Sequence, residues 1–120
     1  MRITGGIERE NDRLVQVWAS RQKSYLSESR ENIVGHHYYT RQHKLLRWDL
    51  HNIIPLTCDE HKNFHSGLLK FEIKNPFRKQ YLDNMVRKDY KQYLLENGLT
   101  DAEFVKKCNK ELKEKIREIL

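Results

Sequence analysis

All six histidines of this 120-residue chain fall between Gly35 and Gly67. His36 and His37 are adjacent, Asn52 follows His37 by fifteen residues, His61 follows Asn52 by nine, and His65 follows His61 by four. Imidazole ligates divalent metal ions, and its ordinary titration range spans neutral pH. On a helix, His61 and His65 share one face. With His36 supplied from a second element, three imidazoles converge on one divalent cation and leave at least one coordination position open, the pattern of a catalytic rather than a structural metal site. His37 cannot easily ligate the same ion as its neighbour, which frees it to take a proton from water. These pieces suit phosphodiester hydrolysis: a cation stabilises charge on the phosphate and the leaving oxygen while a histidine activates the attacking water. The Asn52 amide can tie the loop between two strands or orient the base, and both roles stay open. His43 and His51 obey no such spacing and are expected to be ordinary surface or core residues.

Several elements must position these side chains. Leu14, Val17, Trp18, Arg21 and Tyr25 recur at spacings of three or four and predict a helix over 8–28. A strand is expected within Ile33 to Tyr39 and a second at "NIIPL", with Pro55 suited to an edge. The polar "TRQHKLLRWD" between them reads as a loop. Within it Trp48 is expected to plug the core, and Asp49 to pair with Arg47. Thr57 and Glu60 have capping-box spacing, so a helix starts there, and Gly67 is its candidate stop. Pro76 and Gly98 bracket a further helix, and Thr100 with Glu103 opens the last, whose stripe is Phe104, Cys108, Leu112, Ile116 and Ile119. These two C-terminal helices, within 76–120, are expected to form a hairpin.

The bulk composition narrows the partners. The formal net charge is +6 and the pI is near 9.4, a balance that favours a polyanion through counterion release. Residues 36–80 carry eight Lys/Arg against four acids, whereas the last forty carry nine against eight, so the positive excess sits largely with the histidines. A hydrophobic share of 38% and a mean hydropathy of -0.90 suit a small core with polar helices, and one domain is expected over 1–120. There is no long apolar run and no apolar core in "MRITGGIERENDR", so no membrane partner is expected and a cytoplasmic location is. Cys58 and Cys108 form no C-x-x-C pair, which argues against a structural zinc knuckle and leaves both as reduced thiols.

The stretch resembles the HNH endonucleases, the ββα-metal finger family. Histidines at 36, 37, 61 and 65 and the asparagine at 52 follow the order and spacing of the bacterial colicin DNase version. The "LLRWDLHNIIPL" segment is similar to small phage-type HNH proteins, which often read H-x-x-x-R, then R-W-D-x-x-N and a Cys/His helix. The resemblance covers roughly residues 33–67. It implies an α+β fold: a small β-hairpin plus metal-binding helix, packed among α-helices. It implies a metal-dependent endonuclease acting on DNA and leaving 5′ phosphates, in the host cytoplasm if phage-encoded. His37 would be the general base, His36, His61 and His65 the metal ligands, and Asn52 a support for the loop or the base. An arginine touching the scissile phosphate is expected, with Arg41 and Arg47 equally open. Magnesium or manganese would support turnover, while zinc or nickel suits an all-imidazole site. Many phage relatives hold the helix with paired C-x-x-C zinc ligands; here that support is expected from the first helix, with Trp18, and from the C-terminal hairpin. A non-catalytic, metal-stabilised nucleic-acid-binding module is the alternative, and both monomer and homodimer remain open.

Overall fold

The computed structural model describes residues 4–68 and 71–119. Among them an α+β fold combines five helices with one antiparallel two-stranded sheet. In chain order these are α1 (Gly5–Ser20), β1 (Ile33–His37), a 3-10 turn (Leu50–Asn52), β2 (Ile53–Thr57), α2 (Cys58–His65), α3 (Pro76–Val86), α4 (Tyr90–Glu96) and α5 (Asp101–Ile119). No helix among the described residues is long and apolar enough to cross a membrane.

The first helix stops at Ser20 rather than near residue 28. The Ser24 hydroxyl accepts the N–H groups of Leu26 and Ser27, a local turn that competes with helical hydrogen bonding. Glu28 and Asn32 then adopt left-handed backbone (φ 63° and 53°), which a helix cannot contain.

The β1–β2 register pairs His36 with Ile54 and Gly35 with Pro55. Gly35 turns its backbone away from β2: its N–H donates to Gln16 Oε1 at 2.8 Å and its carbonyl accepts from Gln16 Nε2 at 3.1 Å. Its partner Pro55 therefore sits at a non-hydrogen-bonded pair, where the missing proline N–H removes no ladder bond. A Cβ on Gly35 would lie 2.8 Å from Ile53 Cγ2 and 3.0 Å from Ala19 Cβ. Only glycine allows α1 to press this closely on the strand that carries His36 and His37.

Two buried clusters flank the hairpin. Ile53 joins Leu14, Val15, Trp48, Phe104 and Leu112, whereas Ile54 and Leu56 join Leu46, Ile73 and Leu82. The strand alternation of β2 sends its neighbours to opposite faces. The β1–β2 loop straddles both clusters, with Leu45 in the first and Leu46 in the second. Trp48 does plug the core, being 4% exposed. From α3, Arg78 donates to the carbonyls of His51 (2.7 Å) and Ile53 (3.1 Å) and pins the start of β2.

The C-terminal segment differs from the expected hairpin. The helix after Pro76 breaks at Arg87–Asp89, because the Asp89 side chain caps a new helix by accepting from Gln92 N–H. The long α5 packs mainly along α1, where Asn11 Nδ2 donates to the Val105 carbonyl at 3.2 Å. It meets α4 through Tyr90 and Tyr93 against Phe104. The support for α2 likewise differs. Trp18 packs in the α1–α5 cluster, while α2 rests on β1 and β2. It begins with a complete Thr57–Glu60 capping box, and Glu60 also accepts from the Ser24 hydroxyl at 2.6 Å.

Candidate metal centre

β1 and α2 bring three imidazoles together. One ring nitrogen from each of His36, His61 and His65 lies within 4.8 Å of the others. His61 and His65 stand one turn apart on α2, and their Nε2 atoms are 2.9 Å apart. His36 comes from the buried side of β1, its ring edge-on to Phe64 at 4.4 Å. Its Nε2 is buried and, among the described residues, has no hydrogen-bond partner. An unmet buried nitrogen costs roughly 1–3 kcal/mol, so a ligand in the gap would relieve it.

A divalent ion fits this donor set. Nitrogens bound at 2.0–2.1 Å to a tetrahedral zinc stand about 3.4 Å from one another, so small rotamer shifts bring this triangle to that size. Ligation requires neutral imidazole. Burial, followed by the charges of His61, His65 and His37, pushes the His36 pKa down to about 4. Burial and then His65 lower that of His61. Both rings are therefore in their ligating form at neutral pH.

His37 ends β1 and takes no part in this triangle. Its Nε2 lies 2.8 Å from the backbone carbonyl of Arg47. A carbonyl only accepts, so the proton sits on Nε2 and the neutral ring's lone pair is on Nδ1. Burial is the main cause that lowers its pKa, opposed by the Arg47 carbonyl and reinforced by the charge of Arg41. His36, His37, His61 and His65 line one open cavity of about 720 Å³, with Arg41 on its wall.

Asn52 is fully buried, and its amide touches the loop rather than either histidine group. Oδ1 accepts from Tyr39 N–H (2.8 Å), and Nδ2 donates to the carbonyls of Tyr39 (2.9 Å) and Leu46 (3.1 Å). Arg47 is drawn away from solvent. It forks onto Asp12 through Nε (3.1 Å) and Nη2 (2.6 Å), reaches Glu8 at 3.7 Å and lies over the Trp48 ring. The expected Arg47–Asp49 pair does not form. Asp49 instead accepts from the His51 backbone and ring and from the Tyr81 hydroxyl. Arg41 is exposed, and its Nη2 donates to Asp12 at 3.0 Å. His43 and His51 lie outside the metal-competent group.

Sequence reasoning missed Asp12 and Gln16, which also line the cavity. Both lie on α1, four apart, so a helical pattern puts them on one face. That periodicity alone does not say that this polar face meets β1. No family model, curated protein or solved structure matches the chain.

Proposed function

We propose that the protein is a metal-dependent HNH-type endonuclease that hydrolyses phosphodiester bonds of DNA, with β1, β2 and α2 as its ββα-metal finger. One observation carries this reading: three imidazoles gathered within 4.8 Å, beside a fourth whose Nδ1 lone pair is left for a proton. A structural metal site needs the three ligands but not the fourth, oriented ring. His36, His61 and His65 would hold the divalent cation. When bound, it supplies Lewis-acid stabilisation of charge on the phosphate and the leaving 3′ oxygen.

The chain's own residues account for the other steps. His37 Nδ1 takes the proton of the attacking water, and the Arg47 carbonyl stabilises the imidazolium by holding its Nε2–H. The lowered pKa of His37 keeps that base neutral at pH 7. Asn52 holds the β1–β2 loop, and through it the Arg47 carbonyl, in place. Of the two arginines, Arg41 suits contact with the scissile phosphate, being exposed on the cavity wall while Arg47 is spent on Asp12 and Glu8. Magnesium or manganese suits turnover, and zinc or nickel binds an all-imidazole set more tightly.

The test is a supercoiled plasmid incubated with manganese. Nicking by the wild-type chain that is lost with EDTA and with His37→Ala supports the enzyme. A chain that retains its metal and binds DNA but never nicks it identifies a nucleic-acid-binding module instead.

A further inference from the structure

Asp12 is used to capacity. Its Oδ1 accepts from Arg47 Nε (3.1 Å) and Trp48 Nε1 (2.9 Å), and its Oδ2 from Arg47 Nη2 (2.6 Å) and Arg41 Nη2 (3.0 Å). Three of these four contacts come from the rear, from side chains held in or against the core: Trp48 is 4% exposed and the Arg47 side chain 18%. The fourth faces the cavity, where the Arg41 side chain is 59% exposed. Arg41 is thus caught by one corner of its guanidinium. An arginine carries five N–H donors in a planar fork, and the contact with Asp12 leaves most of them unused.

Arg47 is itself shared between Asp12 and Glu8 behind the wall, so on the cavity side the donors open to an anion are the guanidinium N–H groups of Arg41 that Asp12 leaves unused. Burial alone would raise the Asp12 carboxyl, but hydrogen bonds from Arg47 and Trp48 and the two arginine charges hold it below its ordinary range. It therefore remains an anion across the neutral range and keeps its grip.

We propose that Asp12 is a positioning residue for the phosphodiester: anchored from behind by Arg47 and Trp48, it holds the Arg41 guanidinium on the wall of the histidine cavity so that its free N–H groups meet a non-bridging phosphate oxygen. This inference rests on the nuclease reading and adds to it a residue that lies outside the histidine-bearing segment, on α1. A freely rotating arginine would have to be ordered each time substrate binds, and the mount removes that requirement.

A double-mutant cycle on manganese-dependent plasmid nicking tests it. Asp12→Glu keeps the charge and both acceptors but moves them by one methylene, and Arg41→Ala removes the presented group without touching the core. Asp12→Asn serves as a second variant, and thermal melts of each establish that it is folded. Asp12→Glu is expected to lower kcat/KM by about tenfold when Arg41 is present and by less than twofold in the Arg41→Ala chain. A merely structural role lowers it by the same factor in both backgrounds. Equal factors, or no effect of Arg41→Ala, overturn the assignment of Asp12 while leaving the nuclease reading intact. A wild-type chain that never nicks overturns both.

Discussion

In the Asn52→Ala chain, three hydrogen bonds disappear from a position with no solvent exposure. The Tyr39 N–H and the carbonyls of Tyr39 and Leu46 lose their partner in the interior. Each lost bond costs about 1 kcal/mol, more where the remaining group stays dry, so the variant is expected to lose about 3–4 kcal/mol. Against a typical total of roughly 5–15 kcal/mol, that lowers the melting temperature by about 10–15 °C. Urea unfolding and thermal melts read this directly. Asn52→Asp should be as damaging, because it keeps an acceptor for the Tyr39 N–H but turns a second acceptor toward two carbonyls. Zinc affinity of the folded fraction should stay within about threefold, since His36, His61 and His65 stand on β1 and α2 and not on the loop. An Asn52→Ala chain that melts within about 2 °C of wild type yet loses all nicking would overturn the purely architectural role of Asn52 and place its amide in the chemistry.

Other changes probe the same framework. Gly35→Ala puts a Cβ 2.8 Å from Ile53 Cγ2 and 3.0 Å from Ala19 Cβ; the overpacking should cost about 1–3 kcal/mol in urea unfolding. In EDTA, stability should depend on pH through His36, whose pKa is about 4 folded against 6.5 unfolded. The unfolded chain binds more protons between those values, so stability is full above pH 6.5 and falls by up to about 3 kcal/mol as pH drops towards 4. A flat profile of melting temperature over that window would contradict the burial of a neutral His36. His65→Ala should weaken zinc binding by at least about tenfold in isothermal titration, while changing stability by less than about 1 kcal/mol because His65 is exposed.

How much of this was readable in the sequence depends on the range of the contact. Two of the three clustered imidazoles are local: His61 and His65 are four apart on a helix announced by its Thr57–Glu60 box, and both the box and the helix form. The third depends on hairpin register, and the β-branched residues around His36 and the apolar "NIIPL" were enough to expect it. The arginines could not be told apart. Arg47 is claimed by Asp12, thirty-five residues earlier, and no local pattern encodes that distance. The same holds for α5, which was expected to fold back on its predecessor and instead lies along α1, with Asn11 bonded to Val105 across 94 residues. The early end of α1 was hidden because residues 21–25 contain no glycine or proline. The chain leaves the helix after Ser20, and the Ser24 hydroxyl turn and the left-handed Glu28 keep it from resuming.

The nuclease reading requires His36, His61 and His65 to share one divalent cation while His37 stays unligated, which X-ray absorption at the zinc edge of the zinc-loaded protein reads out ligand by ligand. One zinc per chain is expected, with three imidazoles counted from their outer-shell ring scattering, nitrogens at about 2.0–2.1 Å and a non-imidazole oxygen donor in the open position, unchanged in His37→Ala. A spectrum with fewer than three imidazoles, with a sulfur from Cys58 at about 2.3 Å, or with a ligand lost in His37→Ala would contradict it.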